Sequence, residues 1–486
     1  VKLNLGLSLA SALLLILIFP SFNLTWLAPL ALAPLLVACA REHSWRRRWL
    51  QGWAAGFVFW CGVCPWIEFV LEVHGSMGRW GGWGSFILFG LYKGLHMAAF
   101  ATLAGFLMPR WWAIPAVAAL WTGIERTHGY FGFAWLDLGN AGINMPLPMR
   151  LAPITGVYGL SFVFAMLGCA IALIALRRPR RELSWLAVLL VLLVLPRAPR
   201  REEPAQRALL VQPNIDGEMN WTFDNLRDTE QKLALLSRAS GVNLILWPEV
   251  PAPFYEGDAD FRNYAAQIAR TSETDFLFGA VAFTPQQEPL NSAVMMDSTG
   301  KIMDRYDKIN LVPFGEFIPP LFGWVNRITH EVGDFVPGHR IVVFPVDGHR
   351  ISAFICYESA FPDFVRRFTR AGAEVLVNLS NDGYFGRSNA LEQHLEIVRM
   401  RAAENRRWIL RATNDGITAA IDPRGRVIQR LPPFVQTASI MPYNYETTQT
   451  PYTRHGDWFA WSCFGLGLAL CAYEWRITRT SPSLTI

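Results

Sequence analysis

Long apolar runs, separated by short arginine-bearing connections, fill the first 195 residues, and a different pattern follows them. The runs are Leu3–Phe19, Leu24–Ala40, Leu50–Leu71, Gly82–Met108, Trp111–Ile124, Gly156–Leu176 and Leu183–Leu195, with one more at Trp458–Tyr473. A helix needs about 20 apolar residues to cross a bilayer, and most of these runs suffice. Trp111–Ile124 and Leu183–Leu195 are short and fit a buried or re-entrant segment equally well. The pattern predicts an α-helical membrane bundle of about eight spans, seven before the polar region and one after it. Lys2 is a weak basic flank, and no small-residue cleavage site precedes the second run, so the first run reads as a helix rather than a signal peptide.

Between the seventh and eighth runs the periodicity changes. Strands are expected at Ala208–Ile215, Val242–Trp247, Phe276–Phe283, Ser292–Asp297, Ile341–Pro345, Arg350–Cys356, Glu374–Leu379, Trp408–Thr413, Thr418–Ile421 and Val427–Leu431. Apolar residues at helical spacing mark Asn225–Ala239, Asp260–Thr271, Phe361–Ala371 and Asn389–Asn405. Strands alternating with helices predict a layered α/β domain. The expected division is a membrane domain over 1–196, a catalytic domain over 205–455, and a last helix with its tail over 456–486. The segment Phe314–Phe335, with Phe317, Ile318, Leu321, Phe322, Trp324 and Val325, is too apolar for a free loop and reads as an arm dipping toward the bilayer.

Composition agrees: 52% of the 486 residues are hydrophobic and 17% charged, against about a quarter charged in soluble domains. Twenty Trp and 32 Phe suit membrane interfaces. The net charge of +5 is unevenly placed: residues 1–207 hold 18 Lys and Arg against 8 Asp and Glu, and residues 208–455 hold 24 against 29. Basic charge therefore belongs to the membrane connections, and the mildly acidic polar domain does not suit nucleic acid. Arg41, Arg46, Arg47, Arg48, Arg110, Arg177, Arg178, Arg180, Arg181, Arg476 and Arg479 fall on one side of the predicted spans, against Arg79, Arg126 and Arg150 on the other. The positive-inside rule puts the first set in the cytoplasm and the catalytic domain outside, in the periplasm of a bacterium. Arg197, Arg200 and Arg201 lie on the wrong side but lead into a long domain, where the rule weakens.

Six of the seven cysteines lie in predicted spans, including Cys61 and Cys64, and read as packing; the polar domain keeps only Cys356. The nine histidines form no metal-ligand spacing, and His394 reads as part of a polar helix face. No phosphate loop or serine-hydrolase elbow is present. No metal and no cofactor is expected.

Three segments share one feature, a strand followed by a reactive side chain: Leu244-Ile-Leu-Trp-Pro-Glu249, Tyr306-Asp-Lys308 leading to Glu316, and Ile351-Ser-Ala-Phe-Ile-Cys-Tyr-Glu358. Sites in α/β folds gather beyond the carboxyl ends of strands. A thiol needs a base to become a nucleophile, and a lysine near the carbonyl stabilises the oxyanion. Taken singly, Glu249 reads as a turn carboxylate, Lys308 as a solvated side chain and Cys356 as core. The three in this order point to thiol chemistry.

Glu249, Lys308 and Cys356 resemble the Glu-Lys-Cys triad of the nitrilase (carbon–nitrogen hydrolase) superfamily. Trp247-Pro-Glu249, Tyr306-Asp-Lys308, Leu311-Val-Pro-Phe-Gly-Glu316, Cys356-Tyr-Glu358 and Asn378-Leu-Ser-Asn-Asp-Gly-Tyr-Phe-Gly386, flanked by membrane helices, are similar to the apolipoprotein N-acyltransferase family within it. So are Gly132-Phe-Ala-Trp-Leu-Asp-Leu-Gly139 and Leu151-Ala-Pro-Ile-Thr-Gly-Val-Tyr-Gly159. Departures are Ala134, where that family often has Pro, and Gly383-Tyr384, where it often has Ala-Trp. The resemblance implies eight membrane helices and an αββα sandwich. It implies acyl transfer from a membrane phospholipid to the N-terminal amine of a diacylated apolipoprotein, by a ping-pong route through a Cys356 thioester. It further implies Trp221, Tyr357, Glu358 and Trp135 in the substrate pocket, with Glu316 holding Lys308 or Glu249. Trp135 also fits a plain interfacial anchor.

Two other readings compete. A membrane-bound amidase or nitrilase would use the same triad on a small amide. A transporter or scaffold with a degenerate sensor domain would show intramembrane charge pairs, for which Glu68, Lys93 and Glu125 are the central candidates.

Overall fold

The computed structural model describes residues 2–130, 133–196, 203–217, 219–313, 315–317 and 335–480. Contacts divide the chain into two units: Val1–Glu68, Trp83–Ala198 and His455–Ile486 form one, Phe69–Gly82 and Pro199–Arg454 the other. The breaks between the units fall at residues 198/199 and 454/455, besides those around Phe69–Gly82. The short segment Phe69–Gly82, read from sequence as membrane domain, groups instead with the catalytic unit.

The first unit is helical. Two described helices, Gly78–Leu107 and Val157–Ala175, are long and apolar enough to cross a membrane, and a third span results if Trp45–Val63 and Trp66–His74, bent by 68°, are counted together. Among the described residues eight such helices are not seen. Lys2–Leu17 has 16 residues, and the second run divides into a 3₁₀ turn, Thr25–Leu30, and the helix Ala33–Arg41. The two short runs behave differently. Ala113–Arg126 is a 14-residue helix with most of its side chains buried, whereas Leu183–Leu195 contains no long α-helix: Arg180–Leu190 is 3₁₀ and one α-turn, Val191–Val194, follows. The last helix is Trp458–Thr480.

Lys93 and Glu125 are both buried, and both hold one loop. Lys93 Nζ donates to the Phe133 carbonyl at 2.9 Å and rests over the Trp60 ring, and Glu125 Oε1 accepts from the Leu138 N–H at 2.6 Å. Their use as loop anchors answers the transporter reading, which needs charges paired along a pathway.

The second unit is built on two six-stranded sheets. In the first, β1 (Gln206–Gln212), β2 (Leu244–Leu246) and β3 (Asp275–Phe283) run parallel; β4 (Pro289–Met296) and β5 (Ile302–Asp307) continue antiparallel beyond β3. In the second, β6 (Phe344–Val346) pairs antiparallel with β7 (His349–Ile355), which runs parallel with β8 (Val375–Ser380) and β9 (Trp408–Thr413). Antiparallel β10 (Ala419–Ile421) and β11 (Val427–Arg430) end that sheet, and β12 (Thr437–Tyr443) returns to pair with β1. β1 packs against β9 and β4 against β7, so the sheets face each other.

The helices Phe223–Leu236 and Ala259–Ser272 bury Leu233, Phe261 and Ala265 with Leu209, Ile245 and Trp247 on the outer face of the first sheet. Pro362–Arg370 and Ala390–Asn405 cover the second. The parallel strands are apolar on both sides because both faces are covered. The expected αββα sandwich is present. Sequence patterning did not separate β5 and β12, for one physical reason. Both are edge strands, β5 carrying Asp304, Arg305 and Asp307, and β12 carrying Pro442, a residue an edge tolerates.

Candidate active site

Four strand ends converge. Glu249 follows β2, Lys308 follows β5, Cys356 follows β7 and Asn381 follows β8. Gly279 on β3 lets the Glu249 backbone come close, since a Cβ there would collide with Pro248 O and Val250 N. Lys308 is 1% exposed, and its Nζ donates to Glu249 Oε1 at 3.0 Å and to Glu316 Oε1 at 2.9 Å. Asn291 Nδ2, on β4, donates to the same two oxygens at 2.7 Å each. The outer oxygens are held by backbone: Glu249 Oε2 accepts from Asn381 N–H at 2.9 Å, and Glu316 Oε2 from Val312 N–H at 2.8 Å.

Burial on its own would lower the Lys308 pKa, but Glu249 and Glu316 outweigh it and hold the ammonium well above its ordinary range. Lys308 is therefore a fixed positive charge. Burial pushes the Cys356 thiol far up; Glu249 adds to the rise and Lys308 opposes it. One cation already faces two carboxylates, so a thiolate formed by losing its proton to solvent would add a second net negative charge to a buried cluster. Passing that proton to Glu249 leaves the net charge unchanged.

Cys356 has φ of +50°, the left-handed region that costs a non-glycine residue energy. It opens the 3₁₀ turn Cys356–Ala360, and neighbours hold it there. Glu358, fully buried, accepts four hydrogen bonds: Oε2 from Ile355 N–H at 2.7 Å, and Oε1 from Tyr306 Oη at 2.7 Å, Ile309 N–H at 2.8 Å and Asn310 N–H at 3.1 Å. One carboxylate thus ties the strand before Cys356 to the turn after Lys308. On the other side, His394 Nε2 lies 3.1 Å from the Cys356 carbonyl oxygen and 2.9 Å from Ser359 Oγ, and Nδ1 lies 3.1 Å from Asp382 Oδ1. Arg411 Nη2 donates to Asp382 Oδ2 at 2.6 Å. His394, Asp382 and Arg411 have no exposed surface. The sequence reading of His394 as a polar helix face is therefore corrected: the helix Ala390–Asn405 is buried nearly all round.

Among the residues picked out from sequence, Glu249, Lys308 and Glu316 share one hydrogen-bonded cluster with Cys356 beside it, and Glu358 braces both sides. Tyr357 is buried, edge-on to Phe361. Trp221 packs against the apolar layer outside the first sheet and is not drawn into the cluster. Trp135 belongs to the other unit, where it is buried against Trp66 and Phe133, unlike an interfacial anchor. Of the arm over Phe314–Phe335, Phe314 and 318–334 lie outside the described residues, as do Gly132, Arg197, Arg200 and Arg201. Where the chain re-enters, Phe335 N–H donates to Glu316 O at 3.1 Å. Sequence reasoning passed over Asn291, Asp382, His394 and Arg411. The available signal was a polar residue inside an otherwise buried strand, as with Asn291 in β4 and Arg411 in β9. Among the described residues no group of His, Cys, Asp and Glu is arranged to hold a metal ion.

Comparison with known proteins covers both units. The carbon–nitrogen hydrolase family model matches residues 207–450, and the model of the apolipoprotein N-acyltransferase N-terminal domain matches residues 11–170. Apolipoprotein N-acyltransferases of Geobacter metallireducens and Nitrosomonas europaea are each 34% identical, over 96% and 91% of this chain and 94% and 93% of theirs. That of Azotobacter vinelandii is also 34% identical, over 97% of this chain and 94% of its own. Among solved structures, an amidase from Nesterenkonia sp. is 19% identical, covering 52% of this chain and 94% of its own with a TM-score of 0.38. Likeness at this level over both the helical region and the two-sheet domain settles the family: the chain is a membrane-associated member of the apolipoprotein N-acyltransferases, within the carbon–nitrogen hydrolases.

Proposed function

We propose that the chain moves one acyl chain from a membrane phospholipid to the N-terminal amine of a diacylated apolipoprotein, with Cys356 as the nucleophile. The observation that carries this reading is the matched N-terminal domain, residues 11–170, in the same chain as the Glu249–Lys308–Cys356 site. A hydrolase of small amides needs only the two-sheet domain, whereas both substrates of a lipoprotein acyltransferase live in lipid. We read the helical region as the eight-span bundle expected from the apolar runs, with the catalytic unit facing the periplasm.

In the first half-reaction Glu249 takes the Cys356 proton as sulfur attacks the ester carbonyl. Lys308 and the Tyr357 N–H hold the oxyanion. The carbon–oxygen bond then breaks, the Glu249 proton passes to the departing glycerol oxygen, and a thioester and a lysophospholipid remain. In the second half-reaction the acceptor amine attacks the thioester, an amide forms, and the amine proton returns through Glu249 to the Cys356 sulfur. Tyr357, Glu358, Trp221 and Trp135 keep the supporting or substrate-pocket roles the resemblance implies.

The test is trapping. Purified enzyme is incubated with phospholipid and no acceptor, and its intact mass and modified peptide are measured. One hydroxylamine-labile fatty acyl group on Cys356, discharged by a diacylated N-terminal-cysteine peptide, is the expected result. An adduct on another residue, or none in an otherwise active preparation, overturns the mechanism. An adduct that water clears at once favours the amidase reading.

A further inference from the structure

Beside the cluster lies a phenol that the scheme above does not use. Tyr384 follows Asn381 and Asp382 in the 3₁₀ turn Asp382–Phe385, after β8. Its hydroxyl oxygen is buried and has no hydrogen-bond partner among the described residues. A buried hydroxyl without a partner is destabilising, so a place for one calls for an explanation. The oxygen lies over Gly315, where a Cβ would collide with it, and within electrostatic reach of Glu316, Cys356 and Lys308.

The ring is also held. His74 stacks face to face on it, with centroids 4.2 Å apart and planes 14° from parallel. His74 ends the π-helical turn Val70–His74, the part of the sequence-predicted membrane region that the structure groups with the catalytic unit. Phe69, from the same segment, lies edge-on to His74 and would meet a Cβ at Gly386. The segment thus packs on Tyr384 and on Gly386, the residue that closes the turn. Where the resembling family often has Trp, this chain has a phenol, placed and clamped.

We propose that Tyr384 is a substrate-contacting residue of the first half-reaction, donating a hydrogen bond to the glycerol-side ester oxygen of the acyl donor, and that His74 positions it. Burial, with Glu316 and Cys356 adding to it against Lys308, pushes the phenol above its ordinary range, so it stays protonated and serves as a donor. A donor suits an ester oxygen, on which negative charge develops as the carbon–oxygen bond breaks. It does not suit the acceptor amine, whose lone pair must remain free to attack.

The inference rests on the acyl-transfer reading, and the experiment separates the two. Single-turnover acylation by phospholipid and discharge to a diacylated peptide are timed separately in full-length wild type, Y384F, Y384M, H74A and H74F. Wild type must form the adduct; if it does not, the acyl-transfer reading itself fails. Given that adduct, Y384F is expected to acylate roughly 10- to 100-fold more slowly while its preformed acyl-enzyme discharges at the wild-type rate. Y384M, which fills the space without a donor, shows the same split if Y384F is poorly folded. H74A slows acylation, and H74F, which restores a flat ring over Tyr384, acylates faster than H74A. Acylation at the wild-type rate in folded Y384F, or equal slowing of both steps, overturns the assignment.

Discussion

Glu358 shows how far a single residue can be read from sequence. The family resemblance implied a pocket carboxylate there; the structure gives it four donors and no exposed surface, which makes it a brace. Glu249, Lys308 and Cys356 were legible because each ends a strand and each belongs to an uncommon combination. Asn291 was not, because one amide in an apolar strand has many innocent explanations until the Glu249 and Glu316 oxygens are seen 2.7 Å from it. Glu358→Gln keeps the shape but sets an amide donor among four donors. It is expected to cost about 1–3 kcal/mol and most of the activity, read by thermal unfolding and by acyl-enzyme formation on the same preparation. Burial pushes the Glu358 carboxyl up to about 7, offset by the Ile355 N–H and Tyr306 hydroxyl. Burial likewise raises Asp415 to about 7 and Glu396 to about 8. Groups raised in the folded state bind more protons there than in the unfolded chain, so their contribution to stability is complete below the unfolded value and is lost as pH rises through the folded one. Denaturant midpoints of the purified protein should therefore carry a component that falls between about pH 4.5 and 8. Activity should move the other way across the lower part of that window, since a protonated Glu358 gives up acceptor sites that the Cys356 turn needs.

At the level of elements, the strand positions followed from short continuous apolar runs wherever a strand was buried on both faces. That pattern failed at β5 and β12, whose edge positions admit charge and proline. Phe69–Gly82 was misplaced for a related reason: its apolar composition fits a membrane helix and a packed turn alike, and only contacts distinguish them. The elements under the nucleophile are joined by charge rather than by pattern. Arg411 on β9, Asp382 after β8 and His394 on the helix Ala390–Asn405 meet with no exposed surface, so each compensates the others. Burial works against the Asp382 carboxylate, but Arg411 and His394 more than reverse it and hold the carboxyl well below its usual range. Removing one partner leaves a buried charge unpaired, which typically costs about 3–5 kcal/mol. Arg411→Leu should accordingly destabilise the catalytic unit by that order, while Arg411→Leu combined with Asp382→Asn recovers a large part of the loss. Chemical denaturation of the two singles and the double closes the cycle, and additive losses would mean that the pair is not coupled.

For the whole molecule the open question is which side of the membrane the catalytic unit faces, and parity decides it. An odd number of crossings before residue 205 places the unit outside; if either Trp111–Ile124 or Leu183–Leu195 alone fails to cross, the answer inverts. The helix Ala113–Arg126, at about 1.5 Å per residue, is only about 21 Å long, short of the roughly 30 Å hydrocarbon core. Ion pairs mend that deficit. Arg126 pairs with Asp457 and Arg110 with Glu474, so the stretch 110–126 is bracketed against the same length of the helix Trp458–Thr480. The two therefore cross together or not at all. Leu183–Leu195 gains from its geometry, since a 3₁₀ helix rises about 2.0 Å per residue, yet its apolar part, Leu183–Leu190 with the α-turn Val191–Val194, still reaches only about 22 Å. Both short segments are thus shorter than the hydrocarbon core, and the arginine asymmetry is what predicts that both cross and that the count is odd. The hairpin turn between β3 and β4 offers a test, because residues 285–288 are exposed and carry no strand pairing. A reporter inserted there that matures only outside the cytoplasm should be active in intact cells, and its counterpart that works only in the cytoplasm should be silent. The opposite result would show that one of the two short segments stays on its own side, and would remove the catalytic unit from the compartment in which lipoproteins present their amino termini.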